Sequence, residues 1–121
     1  MTQIYKYALM IYVVALTVAS LQPLRPSGLH DSIFHQLLHF VCFGALVLLA
    51  RGAFPGLRSL VWIVSASISL GATLEYLQHW EFHEAIERGD IGEDATGAAL
   101  SGLLCLYWLR RPTQQLKDQQ R

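Results

Sequence analysis

The sequence predicts an all-α, polytopic membrane protein, a bundle of four transmembrane helices with the N-terminus and the C-terminus both in the cytoplasm. Of its 121 residues, 53% are hydrophobic and only 15% are charged. Four apolar segments are separated by Pro, Gly and charged residues, and each is close to the length of about 17–25 residues that a spanning helix requires. Basic residues flank alternate ends of these segments, which predicts the orientation of the chain.

Each apolar segment ends at a residue that interrupts helices or at a charge. Pro23 follows the first segment, Gly52 and Pro55 follow the second, and Pro112 closes the fourth. Proline lacks a backbone N–H and its ring clashes with the preceding turn, so these positions are expected ends. The predicted helices are, in chain order, 4–21, 33–50, 60–77 and 91–109.

Residues 1–111 are predicted to form one membrane domain, and residues 112–121 a loose polar tail in the cytoplasm. The first segment has an alternative interpretation as a cleaved secretory signal, because Lys6 precedes its apolar core and the small Ala19 and Ser20 lie near its end. Its Tyr-rich start favours an anchored helix. Cleavage would leave the orientation of the other helices unchanged.

The orientation follows from the distribution of basic residues. Loops rich in Lys and Arg stay on the cytoplasmic side of a membrane. The loops at 22–32 and 78–93 carry few uncompensated positive charges, so they are predicted to be external. The basic residues assigned to the cytoplasmic side are Lys6, Arg51, Arg58, Arg110, Arg111, Lys117 and Arg121.

Charge and cysteine content narrow the functional classes. The formal net charge is zero, which excludes a basic nucleic-acid binder, because neutralising phosphates requires an excess of Lys and Arg. Cys42 and Cys105 lie apart in apolar runs and match no zinc-binding spacing, so both are expected to be small buried hydrophobic residues. No cofactor is predicted, and the first expected partner is the lipid bilayer.

Polar residues of three predicted helices fall at the same, external end of the bundle. They open the second helix, close the third and open the fourth, at helical spacings that place each set on one face. An ionised side chain within hydrocarbon costs about 2.5–3.5 kcal/mol on insertion scales, so these groups should face the interior or one another. The predicted ligand-binding residues are His39, Glu75, Gln78, Asp90 and Asp94. The candidate metal ligands are His35, His39 and Glu75.

Other polar and small residues have simpler expected roles. Glu81, Glu84, Glu87 and Glu93 are expected to form a solvated acidic loop. The His79–His83 pair is expected at a wet membrane interface. Two sets of small residues are expected to let the third and fourth helices approach closely: Ser65, Ser69 and Ala72 on one, and Gly97, Ala98, Ser101 and Gly102 on the other.

Three short motifs of this chain resemble those of the VanZ-like family of small polytopic membrane proteins. In that family an Asp-Lys pair is followed by two intervening residues and then by a His and an aromatic residue. Here HQLLHF supplies His39 and Phe40, with His and Gln in place of Asp-Lys. EYLQ supplies the Glu and Gln of the second motif at 75 and 78. DIGEDATG supplies Asp90 and Gly97 of the third, with Asp94 at the position of an Asn.

The resemblance covers residues 30 to 105, although Arg88 lies nearer to Asp90 than the family's arginine does. It implies a cell-envelope setting in bacteria, in the inner membrane. The best-known member of the family confers low-level resistance to the glycopeptide teicoplanin, so the resemblance implies a link to antibiotic resistance.

Three functional hypotheses follow from the residues and the resemblance together. The leading one is an outer-leaflet polar pocket that binds the head group of an envelope lipid or cell-wall precursor. The second is a metal-dependent membrane hydrolase that acts on a lipid-linked phosphate or ester. The third is a structural partner that docks another membrane protein through its small-residue faces, which also allow a homo-oligomer.

Overall fold

The computed structural model describes residues 2–22, 33–83 and 85–119, and these ranges are helical without any strand. The four helices are α1 (Thr2–Ser20), α2 (Ile33–Ala53), α3 (Leu57–Phe82) and α4 (Arg88–Gln119). The all-α class and the number of helices are therefore confirmed. The predicted loop at 22–32 lies almost entirely outside the described residues.

Three of the helices, α1, α2 and α3, are long and apolar enough to cross a membrane. Their composition is consistent with membrane association. Among the described helices α4 does not meet the same criterion, because Glu93 and Asp94 lie at the start of its apolar part and Arg110 and Arg111 lie at its end. The fourth span and the orientation of the termini stay predictions.

The helices pack in an up-and-down arrangement in which α2 is central. It contacts all three other helices, most extensively α4, and α3 closes the bundle against both of them. In the described residues α1 packs mainly on α2 and contributes no buried residue, so much of its apolar surface faces outward. Such a surface suits a lipid environment better than water.

The core lies between α2, α3 and α4. Val47 is fully buried and packs in one cluster with Leu60 and Ile63 of α3 and with Ala98 and Cys105 of α4. Burial of an aliphatic side chain of this size contributes about 1.5–3 kcal/mol in a water-soluble protein. In lipid the same contacts act mainly through dispersion and close packing.

Close approach of α2 and α4 depends on glycine. A Cβ on Gly97 would collide with the backbone carbonyl of Phe40, and a Cβ on Gly44 would lie 2.8 Å from the Ser101 hydroxyl oxygen. The predicted small-residue face of α4 is thus confirmed as a packing face, although much of it meets α2. The prediction for α3 is wrong at two positions, since Ser65 and Ser69 are exposed.

Two predicted irregular regions are helical instead. The predicted external loop at 78–93 shortens to residues 83–87, because α3 continues to Phe82 and α4 already begins at Arg88. Likewise α4 runs through Pro112 to Gln119, where a loose tail was predicted. The residues after Pro112 are mostly Gln, Leu and Lys, which are compatible with helix, so α4 resumes its hydrogen bonding beyond the proline.

Candidate functional site

One end of the bundle holds nearly all of the buried polar side chains in the described part of the chain. Ser67 is buried within α3 and donates to the carbonyl of Ile63, one turn earlier in the same helix. The other buried polar residues are Glu75, Gln78, Asp90 and Asp94. These four are all predicted site residues, and their burial confirms that they face the interior.

Two histidines of α2 meet two aspartates of α4 in a group that we name the His–Asp cluster (His35, His39, Asp90 and Asp94). The Nε2 atom of His35 lies 3.2 Å from Oδ2 of Asp90, and Nδ1 of His39 lies 2.9 Å from Oδ1 of Asp94. The Nε2 atom of His39 also lies 3.5 Å from Oδ2 of Asp90. Each aspartate therefore has an imidazole within ion-pair distance.

The local sequence explains this pairing. His35 and His39 are four residues apart on α2, and Asp90 and Asp94 are four apart on α4, so each pair lies on one helix face. The two helices begin at the same end of the bundle and run in the same direction. Each histidine therefore meets the aspartate 55 residues later in the sequence: His35 meets Asp90, and one turn further His39 meets Asp94.

The His–Asp cluster is mostly buried, but its histidines keep some exposure to solvent. The side chains of His35 and His39 are 16% and 17% exposed, and those of Asp90 and Asp94 are 7% and 5% exposed. Carboxylates this far from water require a partner, and the imidazoles provide it. Arg88, two residues before Asp90, is exposed.

Gly71 of α3 is a site residue that the sequence analysis missed. A Cβ at this position would lie 2.6 Å from Oδ2 of Asp94. Asp94 therefore packs directly against the bare backbone of α3. Its spacing in the sequence could have identified it, because Gly71 lies four residues before Glu75 and hence on the same helix face.

Glu75 contacts the backbone just before α4. Its Oε1 atom accepts a hydrogen bond of 2.6 Å from the backbone N–H of Glu87. The carbonyl of Glu87 in turn accepts from the N–H of Asp90, which closes the first turn of α4. Glu75 thus anchors the start of the helix that carries both aspartates, and the metal-ligand geometry groups His35 and His39 with Asp90 in its place.

Gln78 likewise makes a contact to the backbone. Its Nε2 atom donates to the carbonyl of Ser20 over 2.7 Å. Ser20 is the last residue of α1, and carbonyls in the last turn of a helix have no partner within that helix. Gln78 therefore ties the end of α1 to α3, beside the cluster.

We expect Glu75→Ala to lower the free energy of unfolding by about 1–3 kcal/mol, the cost of an unsatisfied buried group, because the N–H of Glu87 loses its acceptor. Glu75→Gln keeps an acceptor oxygen and should restore most of that loss. Unfolding of the purified protein in mixed micelles measures both. If the Gln variant were as destabilised as the Ala variant, the negative charge rather than the hydrogen bond would be what the fold requires.

The remaining predicted polar residues lie outside the cluster. His79, Glu81, His83 and Arg88 are exposed, and Glu84 lies outside the described residues. Glu93 departs from the predicted solvated loop. It is half-buried on α4, and within the described chain its Oε2 atom is buried without a hydrogen-bond partner.

Comparisons with known proteins give no functional assignment for this chain. No protein-family model, no curated protein and no solved structure matches this chain. The resemblance to the VanZ-like family therefore rests on its three short motifs. The chemistry of the His–Asp cluster carries the functional argument.

Proposed function

We propose that this chain is an integral protein of the bacterial inner membrane that binds the head group of an envelope lipid or lipid-linked precursor at its outer face. The observation that carries the proposal is the His–Asp cluster, which gathers four ionisable side chains at one end of an otherwise apolar bundle. Ionisable groups at this depth are costly and mark functional sites in membrane proteins by default.

The proposed topology has four spans. Residues 91–109 of α4 would cover about 28 Å at about 1.5 Å per residue, close to the hydrocarbon thickness. The packing supports this, since α4 lies along α2, which is itself apolar enough to span. With both termini cytoplasmic, the start of α2 and the start of α4 are external.

The opposite end of the bundle supports the same orientation. There Lys6 of α1 lies 5.7 Å from the ring centre of Phe54, just after the end of α2. Arg51 and Arg58 flank this turn, and Arg110 and Arg111 come late in α4. Basic residues are thus concentrated at the end away from the cluster, as the positive-inside rule expects for a cytoplasmic face.

The roles of the site residues follow from their contacts. In the metal-free site, His35 and His39 are the hydrogen-bond donors for phosphate oxygens, and Asp90 accepts from sugar or amine donors of the head group. Asp94 orients His39 through their 2.9 Å contact. Glu75 and Gln78 act indirectly, because their described contacts hold the start of α4 and the end of α1 in place.

Native mass spectrometry of the detergent-purified protein tests this proposal. We expect the wild type to retain a lipid bearing a phosphate-linked head group and His39→Gln to lose it, because the substitution removes the imidazole that faces both aspartates. The matched control is His79→Gln, an exposed histidine of α3, which should retain the lipid. Equal retention by all three proteins, or a wild type without lipid, would overturn head-group binding at the cluster.

The family resemblance adds a cellular readout. Expression in a glycopeptide-susceptible bacterium should raise resistance to teicoplanin if the site acts on a cell-wall precursor. The same His39→Gln and His79→Gln pair separates an effect of the cluster from an effect of membrane insertion alone.

A further inference from the structure

The geometry points to a divalent-cation site of the zinc class, in which Nε2 of His35, Nε2 of His39 and Oδ2 of Asp90 bind one metal ion and Asp94 orients His39. One ligand atom from each of these three residues lies within 4.8 Å of the other two. We propose this site on its own geometry, independently of which head group the protein binds.

The spacing of the donors suits tetrahedral coordination. Zinc bonds of about 2.0–2.1 Å place neighbouring ligand atoms about 3.3 Å apart. The two nitrogen-to-oxygen separations, 3.2 Å from His35 and 3.5 Å from His39, bracket that value. His-x-x-x-His on one helix face is also a spacing that holds zinc in other proteins.

Asp94 supplies the second observation. It contacts Nδ1 of His39, while Nε2 of the same ring faces Asp90. Metal-binding histidines characteristically donate their other N–H to a carboxylate, which selects the tautomer and orients the ring. When Nδ1 of a neutral His39 donates to Asp94, the Nε2 lone pair is directed at a carboxylate oxygen, and that contact requires either a proton or a cation between them.

The type of donor selects the class of ion. Two imidazole nitrogens and one carboxylate oxygen suit zinc and similar transition metals, whereas magnesium and calcium prefer oxygen donors throughout. Three protein ligands leave one position of a tetrahedral ion for water or for another oxygen.

A bound ion would also change the electrostatics of the pocket. Bare phosphate is repelled by Asp90 and Asp94, whereas an ion on the cluster offsets these charges and attracts a phosphate oxygen. This link to phosphate rests on the proposed head-group function, but the ion site itself does not. A metal titration in the absence of envelope lipid therefore separates the two.

The competing arrangement is protonic. Two imidazolium rings paired with two aspartates would satisfy the same contacts without metal. The exposed His79 and His83 could also bind zinc weakly at the surface, since they are four residues apart on or beside α3. The experiment has to separate the cluster from both.

The test is a titration of the full, tag-free chain in detergent with Zn²⁺ by calorimetry and with Co²⁺ by visible absorption, which reports tetrahedral coordination. We expect one equivalent to bind with a tetrahedral cobalt spectrum. Asp90→Asn and His35→Gln should abolish that spectrum. Asp94→Asn should weaken affinity by about 10–100-fold, as the loss of a partner that orients a ligand does.

The control is the double variant His79→Gln, His83→Gln, which should bind as the wild type does. Circular dichroism establishes that each variant remains helical. A wild type that binds less than one equivalent would overturn the site in favour of the protonic arrangement. Binding that survives in Asp90→Asn but disappears in the control double variant would assign the ion to the surface histidines and overturn the site equally.

Discussion

Gly97→Ala should destabilise the bundle severely for a change of one methyl group. The added Cβ would overlap the carbonyl oxygen, the carbonyl carbon and the Cα of Phe40, which are all backbone atoms. A side chain can rotate away from such a clash, but a helix backbone has to move as a whole. Overpacking of this kind costs about 1–3 kcal/mol and more where nothing flexible yields. Thermal unfolding in detergent, followed by circular dichroism, measures the loss.

Gly92→Ala is the matched control for this prediction. It makes the same substitution on the same helix, but a Cβ at Gly92 would meet no atom within 4 Å. Replacing glycine by alanine inside a helix should then stabilise by about 0.5–1 kcal/mol. The two variants should therefore shift the unfolding temperature in opposite directions. Similar shifts for both would show that α2 and α4 do not pack at Gly97.

Asp94→Ala should be the most damaging substitution in the His–Asp cluster. It leaves His39 without the partner 2.9 Å away, and loss of the partner of a buried polar group costs about 1–3 kcal/mol. Removing both members should cost less than the sum of the two single changes. A double-mutant cycle of His39→Ala and Asp94→Ala, based on free energies of unfolding in mixed micelles, measures that coupling, which we expect at about 0.5–3 kcal/mol.

An exposed pair provides the reference for that cycle. The rings of Tyr76 and His79 lie 6.2 Å apart on the outer side of α3. Their coupling should be small, because neither side chain depends on the other for its hydrogen bonds. If the cycle at His39 and Asp94 gave no more coupling than this pair, the cluster would contribute nothing to stability through their contact.

The spacing of polar residues predicted which of them share a helix face. His35 and His39, like Asp90 and Asp94, are four residues apart, and this places each pair on one helix face before any packing is known. The positions of these residues within apolar segments placed them at one end of the bundle. The pairing of imidazole with carboxylate followed because a buried carboxylate needs a nearby donor.

Residue spacing could not predict the backbone contacts of Glu75 and Gln78. Both lie on the predicted face and both are buried. Their described partners are the N–H of Glu87 and the carbonyl of Ser20, backbone groups at the ends of other helices. The type of a residue does not reveal which backbone group will lack a partner within its own helix, so the sequence could not predict these two contacts.

The sequence by itself determined that the chain forms four helices and which end of the bundle carries the polar side chains, although not where α3 ends or where α4 begins and ends. Segment length and helical periodicity are properties of consecutive residues, so they are readable without a fold. Only the tertiary structure decided the partners within that end. Gly44 and Gly97 bring α2 and α4 close in one register, and Gly71 opens space for Asp94. The rotation and offset of two packed helices depend on contacts between distant segments, and these contacts decide which carboxylate meets which imidazole.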